Sequence, residues 1–110
     1  MATTKAYESP DGLLRFLVVR NEDSDVSLGF DRHVWHTHGD MLAATYRLPK
    51  EAAIDRFIND LLGNRIVIAV SRREGIVVDI WATDDPEGDL RYKSENESIE
   101  YRHWDGSPAA

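Results

Sequence analysis

The chain has 110 residues, 42% of them hydrophobic and 30% charged, proportions that fit one soluble domain around a single core. It carries 13 basic and 20 acidic residues, a formal charge of −7 shared by both halves: 6 basic against 9 acidic through Asp55, then 7 against 11. The absence of cysteine excludes disulfides and thiolate metal ligands; no apolar run nears the roughly 20 residues of a membrane span, and no Lys/Arg block offers itself to a phosphate backbone.

Residues 1–12 are polar and end in the turn signal Ser9-Pro10-Asp11-Gly12. They lack the basic segment and apolar core of a signal peptide, so they read as a loose terminus of a cytoplasmic protein. Leu13 to Arg20 is rich in aliphatic and β-branched residues and predicts a well-buried strand. After the polar turn Asn21 to Asp25, Val26-Ser27-Leu28-Gly29-Phe30 alternates strictly, so Val26, Leu28 and Phe30 share the core face of a second strand. The two segments pair most simply as an antiparallel hairpin.

A helix is predicted over 49–62. Pro49 suits its first position, and Glu51 meets the positive end of the helix dipole. Ile54, Phe57, Ile58, Leu61 and Leu62 form one apolar stripe, and Gly63-Asn64 supplies the stop. Arg65 to Ser71 predicts a central strand, turned back by Arg72 to Gly75 into a partner over Ile76 to Thr83. Asp84 to Asp89 reads as an acidic loop, Leu90 to Lys93 and Ile99 to Trp104 as weaker strands, and Asp105 to Ala110 as a frayed tail. The predicted fold is α+β: a single mostly antiparallel sheet of about five to six strands, with the one helix packed on one face. The other face is then open, and Tyr92, Tyr101, Trp104 or His103 are its candidate lining, as a partner surface or a homodimer contact.

Chemistry concentrates in one place. Three of the four histidines lie in Arg32-His33-Val34-Trp35-His36-Thr37-His38-Gly39-Asp40. In a strand, residues two apart share a face, so His36 and His38 converge, Asp40 continues the row, and His33 points away with Trp35 and Thr37. Two histidines and a carboxylate match the three protein ligands of a catalytic zinc, whose bound water is activated for attack on a carbonyl or phosphoryl centre. Glu22, Asp31 and Asp55 are available as bases, but no spacing selects among them. The competing reading is a structural corner, with imidazoles bonded to backbone or a carboxylate and Gly39-Asp40 serving as a turn.

Part of the cluster resembles two metalloenzyme families. It matches the His-x-His-x-Asp-His motif of metallo-β-lactamase-like hydrolases through Asp40, with Met41 in place of the last histidine. Deubiquitinase-type metalloproteases use His-x-His-Pro followed by serine and aspartate; here Gly39 replaces the proline, the serine is missing and Asp55 lies too far along. A longer stretch, roughly residues 26–70, resembles small acidic bacterial proteins, some of which are immunity partners of secreted toxins. The resemblance rests on the Gly29-Phe30 strand, Trp35-His36-Thr37-His38 with Asp40, and the helix ending Phe57-Ile58-Asn59-Asp60-Leu61-Leu62. It implies a non-catalytic module without a cofactor, whose acidic surface complements a basic protein and whose Trp35, Trp81 and Trp104 are anchor candidates. Trp81, among apolar neighbours, reads equally as core. The expectation is therefore a protein-interaction module with Trp35, Tyr92, Tyr101 and Trp104 as contact candidates, and a small zinc-dependent hydrolase centred on His36, His38 and Asp40 as the alternative.

Overall fold

The computed structural model describes residues 3–109; Met1, Ala2 and Ala110, which belong to the two expected loose termini, lie outside the described residues. The elements in chain order are β1 (Thr3–Glu8), β2 (Arg15–Arg20), β3 (Val26–Phe30), β4 (His36–His38), α1 (Gly39–Tyr46), α2 (Lys50–Leu62), β5 (Val67–Arg73), β6 (Ile76–Thr83), α3 (Pro86–Arg91) and β7 (Glu97–Arg102). All strand pairs are antiparallel. The class is α+β as expected, but the strands form two sheets, β1-β2-β3-β4 and β6-β5-β7, instead of one.

The expected hairpins exist: Val18 faces Leu28 across β2 and β3, and Val70 faces Ile80 across β5 and β6. Alternation then dictates the layers. Phe16, Val18, Val26, Leu28 and Phe30 point inward, where α2 lays Ala53, Ile54, Phe57 and Leu61 over them. Phe16 anchors this layer, edge-on to Phe30 at 5.1 Å and tilted against Phe57 at 5.9 Å. Ile68, Val70 and Ile80 of the second sheet join the same cluster, so one core spans both sheets.

Three segments depart from expectation. Thr3–Glu8 is an edge strand and not a loose lead-in; paired on one side only, its largely exposed side chains carry no periodic signal. Gly39–Tyr46 is a helix, beginning at the Gly39-Asp40 pair that the sequence suggested as a turn. Its start fits against α2 because Gly39 has no side chain: a Cβ there would meet Ile54 Cδ1 at 3.0 Å. Leu90 to Lys93 is not a strand, because Asp85 and Pro86 begin α3 first. The Asp85 carboxylate accepts the Gly88 N–H at 3.1 Å, and Pro86 occupies a position whose N–H a helix does not need.

The expected frayed tail is also tied down. Ala109 N–H donates to the Tyr101 carbonyl at 3.0 Å, His103 N–H donates to the Ser107 carbonyl at 2.9 Å, and Asn64 holds Asp105. Arg102 links both ends of the chain. Its guanidinium donates to both Asp11 oxygens at 2.6 and 3.2 Å, while Nε and Nη2 donate to the His103 and Trp104 carbonyls at 3.0 Å each. The bonds from Arg102 above all, then that from Ser9, hold the Asp11 carboxyl well below the usual carboxylate range. Among the described residues, no helix is long and apolar enough to cross a membrane.

Candidate functional site

Among the described residues, chemistry-bearing side chains come together on the surface at the histidine corner at β4 and at the acidic segment around α3. At the corner, β4 pairs with β3 so that His36 faces Gly29 and His38 faces Ser27, while Thr37 faces Leu28 on the core side. The imidazoles therefore lie on the outer face of the first sheet, in rows continued by Leu17 and Val19 of β2. This is the open sheet face, and it is lined by these residues, not by Tyr92, Tyr101, Trp104 or His103. Gly29 permits the close pairing: a Cβ there would sit 2.7 Å from the Trp35 carbonyl oxygen and 3.1 Å from His36 Cβ.

The expected convergence of His36 and His38 is present, with ring centres 4.9 Å apart at an interplanar angle of 83°. Each ring commits its Nδ1. His36 Nδ1 lies 3.0 Å from the Val34 carbonyl; His38 Nδ1 lies 3.3 Å from Asp25 Oδ1 and 3.4 Å from Ser27 Oγ. A carbonyl and a carboxylate only accept, so both Nδ1 atoms carry the proton and Nε2 bears the lone pair in each neutral ring.

Asp40 does not join them. The chain changes from strand to helix after His38, which swings Asp40 out of the row to the first turn of α1. There it is 83% exposed and lies 3.8 Å from Lys50 Nζ. His33 belongs to the turn before β4, following the left-handed Arg32 (φ 68°), and approaches Asp79 Oδ1 at 3.8 Å. Of the candidate bases, Asp31 meets Arg15 at 3.5 Å. Among the described residues, no three His, Asp or Glu side chains gather into a group able to hold a metal ion.

The four contact candidates separate by burial. Tyr101 is buried and its hydroxyl donates to the Pro86 carbonyl at 2.8 Å; burial first, then the nearby carboxylates of Asp89, Asp85 and Glu97, push that hydroxyl's pKa upward and keep it a donor. Trp104 is buried in the core. Neither is an exposed anchor: Tyr101 is tied to α3 through Pro86, and Trp104 lies in the core just beyond the end of β7 at Arg102. Trp35 is half-buried against Phe30, with ring centres 6.1 Å apart, and helps line a groove of about 590 Å³ with Leu42, Tyr46, Phe57 and Ile66. Tyr92 alone of the four is open, at 88% exposure.

Tyr92 closes α3, which takes in the expected acidic loop from Pro86 through Asp89 and the start of the expected weak strand from Leu90. The helix lies on the outer face of the second sheet, held by the Tyr101 bond and by Asp89, which accepts from Trp81 Nε1 at 3.3 Å and Thr83 Oγ1 at 2.5 Å. Trp81 is thus half-buried beneath α3 and not part of the main core. With Pro86 and Asp89 turned inward, Asp84, Glu87, Leu90 and Tyr92 are left exposed. Asp85-Pro86 was a readable helix start. Residues 84–97 hold six acidic and two basic side chains, so this segment contributes −4 of the chain's −7. No family model, curated protein or solved structure matches the chain.

Proposed function

We propose that the chain is a non-catalytic protein-interaction module, immunity-like in type, whose acidic α3 surface receives a basic protein. The observation that carries this reading is the pairing of exposed apolar groups with concentrated negative charge. Tyr92 is 88% exposed and Leu90 45%, within a segment that holds more than half of the net charge. A rigid aromatic supplies contact area at low entropic cost, and the carboxylates of the same segment, which outnumber Arg91 and Lys93 on either side of Tyr92, steer a basic surface toward it. The helix is fixed to the sheet beneath by Asp89 and Pro86, so the surface is preorganised before any partner arrives.

The test is capture of partners from an extract of the organism that encodes the chain, using the wild type and a D84K/E87K/Y92A variant in parallel. The proposal expects a basic protein retained by the wild type, released by raised salt, and lost to the folded variant. A partner held equally by both would place the contact elsewhere and overturn the assignment.

A further inference from the structure

We propose that His36 and His38 form a two-histidine site for a divalent transition-metal cation of the imidazole-preferring class (Cu²⁺, Ni²⁺ or Zn²⁺), with water in the remaining coordination positions. The site is separate from the α3 surface and independent of its function.

The first support is the spacing. An imidazole nitrogen holds such an ion at about 2.0–2.1 Å, which puts the ion roughly 3.2 Å from the ring centre; two rings sharing one ion at about 90–110° are then roughly 4.5–5.3 Å apart. The observed 4.9 Å falls inside that interval. An edge-to-face ring pair without an ion would have a similar separation, so the commitment of the nitrogens carries more weight.

Both Nδ1 atoms are engaged by acceptors, His36 by a backbone carbonyl and His38 by a carboxylate. These are the two kinds of partner that metal-ligating histidines use on the nitrogen facing away from the metal, where they fix the tautomer and raise the basicity of the other nitrogen. The two partners come from different elements: Val34 from the turn before β4, and Asp25 from the residue preceding β3. Strand register then presents the two rings on one uncovered sheet face, where hydrated ions have access. Asp40 is left out of the coordination set, because the helix that begins at Gly39 carries it away toward Lys50. Imidazole donors without a bound carboxylate favour Cu²⁺ over Ni²⁺ and Zn²⁺ in the usual divalent order.

The experiment is a titration of the purified full chain with Cu²⁺ and with Ni²⁺ at neutral pH, followed residue by residue in ¹H–¹⁵N NMR spectra through paramagnetic broadening. Broadening is expected to begin at residues 36–38 and at facing positions 27–29, to saturate at one equivalent, and to reverse only when Zn²⁺ is added in large excess, because Cu²⁺ is the more tightly bound of the pair. H36Q and H38Q should each weaken binding at least about tenfold, because the second ligand acts at a high effective concentration. D25N should weaken it by roughly 10–100-fold through the lost partner of His38, while D40N should leave affinity within about a factor of two. His36 is exposed, so H36Q tests the site even if H38Q disturbs folding. Absence of localised broadening at one equivalent, broadening centred on His33 or His103, or H36Q binding as tightly as the wild type would overturn the proposal. A D40N loss as large as that of the histidine variants would overturn the two-histidine coordination set.

Discussion

Replacing Asp11 by alanine removes the counter-ion of a guanidinium whose side chain is 3% exposed. Arg102 would keep its bonds to the His103 and Trp104 carbonyls but lose both bonds to Asp11. Breaking a fully buried pair from one side costs about 3–5 kcal/mol, because the remaining charge stays desolvated. The Asp11 carboxylate is 42% exposed, so water partly replaces it, and we expect a smaller loss of about 2–3 kcal/mol. For a domain of this size that lowers Tm by roughly 10–15 °C. The Asn variant removes the charge yet keeps an oxygen for the Ser9 hydroxyl and the Leu13 N–H, both now bonded to Oδ1, and should lose about half as much.

The pH dependence has a definite sign. Because the folded carboxyl titrates below the ordinary 3.8, the unfolded chain binds more protons in acid. The stabilisation is complete above the ordinary value and disappears as pH falls through the depressed one. Urea unfolding of wild type and D11A, followed by tryptophan fluorescence between pH 7 and pH 2, should show a stability gap that is constant near neutrality and narrows in acid. A gap below about 0.5 kcal/mol at pH 7, or one of constant size down to pH 2, would refute this account of how the two chain ends are joined.

Two other substitutions probe the surfaces directly. D85A removes the α3 cap and should cost about 1 kcal/mol; since Asp89 of the same helix bonds Trp81, the tryptophan emission should also move toward the red, and unchanged emission would show that the helix does not depend on its cap. G29A forces a Cβ toward the Trp35 carbonyl, so we expect a loss of about 1–3 kcal/mol together with shifted His36 and His38 ring resonances, whereas a silent variant would show that β4 can move away without cost.

The elements legible in the sequence were those with a buried stripe. Val26, Leu28 and Phe30 alternate because β3 has one core face, and Ile54, Phe57 and Leu61 recur because α2 lies on that face. Thr3–Glu8 has almost no buried face, so nothing in its composition distinguishes it from a disordered lead-in. The division into two sheets was hidden for another reason. Local pattern identifies hairpins, but the return of β7 to the far side of β5 is a long-range pairing that no local signal encodes.

The histidine row was legible only while the backbone kept a period of two. It failed at Asp40, where the period becomes that of a helix, and it could not reveal Asp25, which lies 13 residues from His38 and meets it only through the β3–β4 pairing. The burial of Trp104 likewise accompanies the return of the tail to the edge of β7 and the Arg102–Asp11 pair, while Tyr101 is held against α3 through Pro86, and both are long-range contacts. Tyr92 stayed exposed because α3 ends before it and none of the described elements packs over it.

The claim that α3 is a docking surface for a basic protein is tested most directly by placing a photo-crosslinking amino acid at position 92 and irradiating the protein in an extract of its own organism, with position 47, at the end of α1, as a matched exposed control. We predict one dominant adduct from position 92, with a protein of basic isoelectric point, suppressed by salt and by D84K/E87K and absent from position 47. No adduct, or equal adducts from both positions, would contradict the account.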